Sequence, residues 1–375
     1  MAGREIDVGW RERTVRAWLP DPVGALDLTL SPDTVTLVRR AGAAAVRAGE
    51  YLPPNWEPSA RLLLRSEGVA SSFVEGLRTP LVEVAVAELD DRIVSPTAAW
   101  VADNLVVVRQ AVDEARTGEL TVERLQAWHA RLMEHSRLPD EGRGAFRTEL
   151  GWVGGSSPRD AAYVAPPPEA VPALVGELVD FANRTDLDPV TQAAVVHAQF
   201  EMIHPYGDGN GRLGRVLIGW VLVRRTPMRV PPPVSVRIAR DAGGYLSGLY
   251  LFRSGPVDQW VNWFAGVLEG AAGRTIVLAE RLRTSMHGWR EVLHDLRSDA
   301  AAHALVEVLP ESPVLSVAWA AERLGVSKPA ARSAVAALVD RDLLRPLAVD
   351  RVTRGRPPHW FVCDAVIDLV SRMTD

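Results

Sequence analysis

The sequence predicts a mainly α-helical protein with a small β-hairpin and a separate module at its C-terminal end. Apolar residues recur at helical spacing along most of the 375 residues. Two short apolar runs around a Gly-Ser-Pro turn at residues 150–167 are typical of a hairpin. Residues 316–344 have the pattern of a helix, a tight turn and a second helix. With 47% hydrophobic residues, the chain is long enough for two or three domains.

The N-terminal region, residues 1–120, is predicted to be mostly helical after a start that prolines interrupt. Its first clear helix, about residues 62–76, ends in the sequence SSFVEG. Ser71 and Glu75 are four residues apart and therefore share one face of that helix, and Gly76 is a natural C-terminal cap. Further helices are predicted at residues 81–92 and 98–117.

Residues 121–273 are predicted to form the central domain, with helices near 122–135, 172–183 and 257–268. The predicted hairpin lies within it and follows the sequence GRGAFR, which ends at Arg147. A helical pattern continues through residues 274–309, which we expect to connect this domain to a C-terminal one.

Residues 204–215, HPYGDGNGRLGR, are the most informative part of the sequence. A helical pattern at 191–203 stops at Pro205, three glycines follow, and the helical pattern resumes at Leu213. A helix that begins after glycines directs unpaired backbone N–H groups and partial positive charge outward. Such a helix start binds phosphate oxygens.

Four side chains in this stretch fit the same chemistry. Arg212 and Arg215 are three residues apart, so both extend from the first turn and can bind phosphate. Asp208 is suited to holding Mg²⁺ beside a polyphosphate, because that ion prefers one or two protein carboxylates together with phosphate oxygens. His204 can accept a proton near neutral pH.

This stretch resembles the signature of the Fic domain proteins: HPF, any residue, Asp or Glu, GNGR, two residues, Arg. Tyr206 replaces the usual phenylalanine and adds a hydroxyl group that needs a partner. The resemblance implies transfer of AMP from ATP to a Ser, Thr or Tyr hydroxyl of a target protein. It also implies the following roles: His204 and Arg212 in catalysis, Asp208 on Mg²⁺, and Gly209, Asn210, Gly211, Arg212 and Arg215 on the phosphates. A branch of the family that phosphorylates carries lysine at the position of Gly211, so the glycine favours AMP transfer.

SSFVEG matches the inhibitory helix of the same family at Ser71, Glu75 and Gly76. The resemblance implies that Glu75 pairs with Arg215 and fills the space of the γ-phosphate, which places the chain in the class with an N-terminal inhibitory helix. Removal of AMP from the target with the help of Glu75 remains an alternative role. The predicted hairpin corresponds to the flap of the family, which clamps a target peptide by strand addition. Tyr245 corresponds to one residue of the family's adenine-lining tyrosine pair, and Gly244 stands where the first tyrosine would be.

Residues 310–375 resemble a winged helix-turn-helix with its recognition helix at 327–340 and strands at 345–350 and 360–363. Residues 323–356 contain eight basic and three acidic side chains, a local net charge of +5 in a chain whose net charge is −5. Two roles remain open, DNA binding and protein contact. The side chains expected to meet DNA are Lys328, Arg332, Arg351, Arg354 and Arg356.

Two functions therefore remain: an autoinhibited protein adenylyltransferase that uses ATP and Mg²⁺, or a DNA-binding transcriptional regulator that uses the Fic core as a nucleotide sensor. The partners expected are a target protein, the chain itself as a substrate, DNA and a second copy in a homodimer. No run of apolar residues is long enough for a membrane span and the N-terminus lacks a signal-peptide core, so we expect a cytoplasmic protein with no membrane partner. A single cysteine, Cys363, excludes intrachain disulfides and a cysteine cluster for zinc.

Overall fold

The computed structural model describes residues 3–53, 55–90, 94–348 and 359–374. Helices account for most of these residues and three small antiparallel sheets accompany them, which confirms the mainly α class. Within the described residues, no helix is long and apolar enough to cross a membrane.

The N-terminus differs from its prediction. Strands β1 (Gly3–Trp10) and β2 (Arg13–Pro20) form an antiparallel hairpin, with Gly3 opposite Pro20. Alternate residues of the hairpin pack inward against the later flap, in a cluster that includes Val15 and Val164. The sequence has the period-two alternation of a half-buried strand here, and the helical interpretation overlooked it.

Four helices follow in the N-terminal region. Ser31 and Ser95 accept hydrogen bonds at two of the helix starts, where a proline follows each serine. The second helix is buried along almost its whole length, and several helices pack on it, among them the fourth helix and a later one at 234–240. The helices are α1 (Pro32–Glu50), α2 (Glu57–Val74), α3 (Leu81–Ala87) and α4 (Pro96–Glu114).

The central region is built around two consecutive helices. Residues 190–203 of one of them are all buried, and the next is buried on most of its surface, although both helices carry polar side chains among their apolar ones. The helices of this region are α5 (Val122–Leu132), α6 (Val171–Asn183), α7 (Pro189–Ile203), α8 (Asn210–Arg225), α9 (Val234–Arg240), α10 (Ala242–Ser254) and α11 (Val257–Glu291).

The predicted hairpin at 150–167 is present but short. Strands β3 (Trp152–Val153) and β4 (Tyr163–Val164) pair antiparallel, with Trp152 opposite Val164. We call residues 150–167 the flap. It packs against β2, so the N-terminal hairpin supports it.

Helix α11 is continuous over 35 residues and is therefore about 50 Å long. The predicted boundary between residues 273 and 274 lies inside this helix. Its first half packs on α1 and α7, and its second half contacts the C-terminal elements, so the two parts of the chain share one apolar core.

The C-terminal part contains a three-stranded sheet of order β5-β7-β6 in which both pairs are antiparallel. The two predicted strands near 345 and 360 are present, whereas β5 and the last helix were not expected. Gly325 (φ 64°) ends one helix and Ser327 caps the next. The elements are α12 (Ala301–Val308), β5 (Val314–Ser316), α13 (Val317–Leu324), α14 (Lys328–Val339), β6 (Arg345–Leu347), β7 (Trp360–Val362) and α15 (Asp364–Thr374). Arg351, Arg354 and Arg356 lie outside the described residues.

Candidate active site

The chain reverses between α7 and α8 in a tight loop, residues 204–209, which we call the glycine loop. His204 ends α7 in the left-handed region, with φ 48° and ψ 59°. Gly209 has φ 79° at the start of α8, and a Cβ there would lie 2.8 Å from Met133 Sδ. Glycine is therefore required at this position. Glu75 lies against Gly211 at the start of α8 and its charge also acts on His204, so the turn brings His204 and this helix start close together.

Asn210 holds the glycine loop closed. Its Oδ1 accepts a hydrogen bond from the Tyr206 amide at 2.9 Å, and its Nδ2 donates to the Tyr206 carbonyl at 2.8 Å. The side chain that was expected to cradle phosphate is therefore engaged within the loop. Any contact between residue 210 and an anion falls to its backbone N–H group.

His129 on α5 also supports the glycine loop, a role that was not predicted from the sequence. Its ring stacks on Tyr206 with centroids 3.7 Å apart and planes 9° apart. The Gly144 amide donates to His129 Nδ1 at 2.9 Å, so Nε2 carries the proton and donates to the Asp208 carbonyl at 2.9 Å. Burial lowers the pKa of His129 to about 4, which keeps it neutral. The only signal in the sequence is a histidine on the apolar face of α5, beside Leu125 and Leu132.

The Tyr206 hydroxyl has no hydrogen-bond partner among the residues described, although it is buried. The expectation that this hydroxyl would find a partner is therefore not met. The ring itself packs between His129, Phe146 and Phe200, which is the role expected of an aromatic anchor.

The backbone of His204 is held by hydrogen bonds, whereas its ring Nδ1 has no partner among the described residues. Arg147 Nε donates to the His204 carbonyl at 2.8 Å, and the Arg147 amide donates to the Pro205 carbonyl at 2.9 Å. Burial, helped by the positive charge of Arg147, lowers the pKa of His204 to about 4. The imidazole is therefore neutral at physiological pH and able to accept a proton.

Arg147 also ties the flap to this loop. Its Nη1 donates to the Glu149 carbonyl at 2.8 Å and its Nη2 to the Pro166 carbonyl at 2.5 Å. The Tyr163 hydroxyl of the flap donates to the Met202 carbonyl near the end of α7. Movements of the flap base and of His204 are consequently coupled through one guanidinium group.

Arg215 lies fully buried against the end of α2. Its Nε donates to Ser71 Oγ at 2.9 Å, and its Nη2 donates to the Ser71 carbonyl at 2.8 Å and to Glu75 Oε1 at 2.7 Å. The pairing between Glu75 and Arg215 that the family resemblance implies is therefore present.

Arg212 is buried under the other side of the cavity. Its guanidinium lies 4.8 Å from the centre of the Trp100 ring, and its Nη2 is 3.7 Å from Asp208 Oδ1. In the part of the chain that the structure describes, Arg212 Nε and Nη1 and Arg215 Nη1 are buried without a partner. Unsatisfied donors of this kind are costly, and an anion in the cavity would satisfy them.

Glu75 follows the last residue of α2 and reaches the first turn of α8. Gly76, with φ 77°, ends the helix and sets this direction. A Cβ added to Gly211 would collide with Glu75 Oε1, so the carboxylate lies directly over the anion-binding start of α8. Burial would raise the pKa of Glu75, but the charge and hydrogen bond of Arg215, with smaller help from the charge of Arg212, hold it below its ordinary value. The carboxylate is therefore charged.

Asp208 has the exposure and position expected of a ligand for a metal that arrives with its substrate. Its side chain is 49% exposed and Oδ1 accepts a hydrogen bond from the Gly209 amide at 2.5 Å. The described residues contain no cluster of three or more His, Cys, Asp or Glu side chains that could hold a metal alone. One carboxylate beside a phosphate site fits Mg²⁺, which takes most of its remaining ligands from phosphate and water.

A second polar group lies behind the site and was not foreseen. His197 Nε2 lies 3.0 Å from the Tyr245 hydroxyl, and His197 Nδ1 lies 4.0 Å from Glu201 Oε1. Burial raises the pKa of Glu201 to about 8 and lowers that of His197 to about 3. Tyr245 is thus engaged inside the protein, while Gly244 is half-buried at the start of α10.

Residues 119–222 match the Fic/DOC family. Over 158 residues the chain is 28% identical to protein adenylyltransferase fic-1 of Caenorhabditis elegans, which covers 42% of this chain and 29% of that protein. Over 154 residues it is 31% identical to protein adenylyltransferase Fic of Drosophila willistoni, covering 40% of this chain and 28% of that protein. The chain thus spans less than a third of the length of these curated relatives.

Solved structures with the same fold cover much more of the chain. A Fic family protein from Desulfovibrio desulfuricans G20 superposes with a TM-score of 0.57 at 24% identity, over 90% of this chain and 98% of that one. Fic-1 of C. elegans, residues 134–508, superposes with a TM-score of 0.51 at 20% identity, over 65% of this chain and 71% of that one. At these identities the likeness concerns the fold.

Proposed function

We propose, for a chain whose residues 119–222 form a Fic domain, that it transfers AMP from ATP to a hydroxyl group of a target protein and that Glu75 restrains this activity. One observation carries the proposal. A neutral His204 lies beside a buried anion site made by the start of α8, Arg212 and Arg215, and a carboxylate of the chain itself occupies part of that site.

The triphosphate is the natural ligand of this cavity. The backbone N–H groups of residues 210 and 211 and the free N–H groups of Arg212 and Arg215 can all donate to negative charge, whereas the Gly209 amide is already bound to Asp208 Oδ1. These donors are fixed by packing before the substrate arrives. They therefore stabilise the charge that develops on the phosphates during transfer without further reorganisation.

We assign the role of general base to His204, which a neutral imidazole allows. It removes the proton from the target hydroxyl, and the resulting oxygen forms a bond to the α-phosphorus of ATP. The bond between that phosphorus and the oxygen bridging to the β-phosphate breaks, and pyrophosphate leaves. Mg²⁺ held by Asp208 would neutralise negative charge on the leaving phosphates.

The flap supplies a place for the target. Trp152 and Val153 on β3 are 37% and 41% exposed, and Arg147 ties the flap that carries them to the glycine loop. An extended peptide that pairs with this edge would bring its hydroxyl toward His204.

Glu75 restrains the reaction because its carboxylate and a phosphate of the nucleotide would occupy the same space. Its carboxylate binds Arg215 and covers Gly211, and an anionic phosphate cannot occupy the same position as an anionic carboxylate. A nucleotide that enters must place its last phosphate elsewhere or displace Glu75. Whether Glu75 also supports removal of AMP can be measured in the same experiments.

The test compares the purified chain with Glu75→Gly, His204→Ala and the double variant, each incubated with a lysate and ATP labelled at the α-phosphate. Label on protein should rise by roughly tenfold or more for Glu75→Gly, since losing an arginine-bound carboxylate is worth more than about 1.4 kcal/mol. His204→Ala should abolish labelling in both backgrounds. Glu57→Gly, an exposed glutamate in the first turn of α2, is the matched control and should behave as the wild type.

Equal labelling by the wild type and Glu75→Gly would refute the restraint. Labelling that persists in the double variant would refute the role of His204. Addition of EDTA should remove labelling in every variant if Asp208 acts through Mg²⁺.

We propose in addition that residues 310–375 form a winged helix-turn-helix that contacts DNA. The supporting observation is helix α14, whose Lys328 and Arg332 are exposed and make no ion pair within the described part of the chain. The unpaired positive charge of this part of the chain is smaller than the sequence suggested. Three of the eight basic residues are already paired: Arg323 with Glu311, Arg341 with Asp295 and Arg345 with Asp364.

A gel-shift titration with random duplex DNA at several salt concentrations tests this second proposal. Lys328→Ala with Arg332→Ala should weaken binding and reduce its salt dependence by about two charges. The matched control is Arg39→Ala with Arg47→Ala on α1, where both arginines are exposed as well. Absence of binding at low salt would leave a protein-contact role for this module.

A further inference from the structure

A groove of about 430 Å³ lies between α9, α11 and α15, formed by none of the residues of the candidate active site. Four of its lining residues are arginines, and no acidic side chain lines it. The four are Arg237, Arg274, Arg281 and Arg372.

These arginines carry uncompensated charge. None of the four forms an ion pair or a side-chain hydrogen bond in the part of the chain that the structure describes. Of the acids on these helices, Glu269 binds Arg40 and Asp364 binds Arg345, and neither Glu280 nor Asp368 lines the groove. A concave surface lined by charges of one sign concentrates ions of the opposite sign.

Arg237 is built into the groove wall. Its Nε is buried and has no partner among the described residues. A Cβ on Gly270 would lie only 3.0 Å from this nitrogen, so a glycine at 270 is what lets the guanidinium lie against α11. A buried N–H group without a partner is unfavourable, and a ligand oxygen in the groove would satisfy it.

Arg274 lies on α11 one turn after Gly270 and lines the same groove. Burial lowers its pKa, and the charges of Arg240 and Arg237 lower it further, so the guanidinium groups repel one another. An anion shared between them would convert this repulsion into attraction. Guanidinium groups bind phosphate oxygens in pairs, which makes phosphate the fitting anion.

The floor of the groove is apolar. Leu278, Leu369 and Met373 are buried beneath it, and Val277 on its side is 46% exposed. Inorganic phosphate would leave this surface uncovered. A ligand that combines phosphates with a flat ring would cover the floor and satisfy the arginines together, and the volume lies in the range of small-molecule sites.

We propose that this groove binds a nucleoside phosphate, with the phosphates on the four arginines and the base on Leu278, Leu369 and Met373. The inference is independent of AMP transfer, because it rests on other helices and other side chains. It gives the chain a second nucleotide site, formed jointly by the central region and the last helix, α15.

Photolabelling with 8-azidoadenosine 5′-diphosphate, followed by peptide mapping, tests the proposal on the full chain. Mapping separates the groove from the candidate active site without any activity measurement. Label should appear in peptides that contain residues 270–281 or 366–374. Arg274→Ala with Arg281→Ala should reduce that label about tenfold or more, whereas Arg39→Ala with Arg47→Ala should not.

Competition distinguishes the occupants. ADP should prevent labelling of the groove at lower concentrations than inorganic phosphate, because phosphate alone does not cover the floor. Three outcomes would overturn the proposal: no label in these peptides at about 1 mM probe, label that the double variant retains, or protection by duplex DNA or by phosphate at concentrations below that of ADP. Thermal unfolding of each variant verifies that it is folded.

Discussion

Individual side chains of the glycine loop divide into those that hold the loop and those that remain available for chemistry. The Asn210 side chain and His129 Nε2 form hydrogen bonds with the loop backbone. The Arg147 guanidinium donates hydrogen bonds to four backbone carbonyls. His204 and Asp208 keep free ring and carboxylate atoms. The free groups were predictable from the sequence because they belong to a contiguous motif. The supporting groups come from distant segments, so nothing in their local sequence marked them.

Tyr206 gives a prediction for a single atom. Tyr206→Phe removes a buried hydroxyl that has no partner among the described residues and retains the ring that stacks on His129. We expect the free energy of unfolding to stay the same or to increase by up to about 1 kcal/mol, because no hydrogen bond is lost. Urea unfolding monitored by circular dichroism measures this change.

Tyr163→Phe is the control, since its hydroxyl donates to the Met202 carbonyl. It should lower the free energy of unfolding by about 0.5–1.5 kcal/mol. A comparable loss for Tyr206→Phe would mean that its hydroxyl is bonded after all, for instance to a buried water molecule.

The ends of three helices create the candidate site, and this is a property of elements rather than of residues. α2 ends just before Glu75 and Gly76, beside the start of α8. α7 ends just before His204, on the other side of the candidate site. The helical pattern and the capping residues predicted each of these ends. Their proximity in space was predictable only through the family resemblance, because helical periodicity carries no information on which helix ends meet.

Errors in the predicted elements have physical causes. β1 and β2 were missed because their apolar residues alternate over only eight positions each, and arginines interrupt the alternation. The boundary at residue 273 was placed within α11 because Gly270 and Gly273 weaken the helical pattern there. One of these glycines accommodates Arg237 instead of ending the helix.

Substitution of His129 tests whether α5 stabilises the glycine loop. His129→Phe keeps an aromatic ring on Tyr206 but leaves the Gly144 amide and the Asp208 carbonyl without their partner. Each buried group left unpaired costs about 1–3 kcal/mol, so the midpoint of thermal unfolding should fall by several degrees. Labelling by the Glu75→Gly background should also fall, because the backbone of Asp208 is no longer fixed.

His287→Phe, at an exposed histidine of α11, is the matched control and should alter neither quantity. Unchanged stability in His129→Phe would contradict the coupling between α5 and the glycine loop.

For the whole molecule, the shared apolar core implies cooperative unfolding. α15 packs on α2 and α11, so the last helix of the chain contacts the helix that carries Ser71 and Glu75. The sequence predicted the C-terminal part as a separate unit because its composition and charge change there. It could not predict the packing, because burial of a helix face does not identify the element that covers it. We therefore expect α15 to unfold in the same thermal transition as α2 and α11.

The dependence of this transition on pH follows from buried groups. Burial raises the pKa of Glu201 to about 8 and that of Glu67 to about 7, well above the value of an exposed glutamate. These two carboxyl groups keep their proton in the folded protein and lose it on unfolding. The free energy of unfolding therefore falls as pH rises from the pKa of an exposed glutamate to about 7 for Glu67 and about 8 for Glu201. His129 and His204 act in the opposite direction, because burial lowers the pKa of each to about 4 and stability falls as pH drops below about 6.5.

Between pH 6.5 and 8 the two buried carboxyl groups dominate, and the midpoint of thermal unfolding should decrease. Glu201→Gln carries no titrating proton, so its midpoint should decrease less, by roughly 2 °C or more over this interval. Glu149→Gln, at an exposed position, should follow the wild type. Scanning calorimetry from pH 5 to 8 measures all three proteins. Parallel curves for the wild type and Glu201→Gln would mean that Glu201 is ionised in the folded protein, held by Arg215 more strongly than burial opposes it.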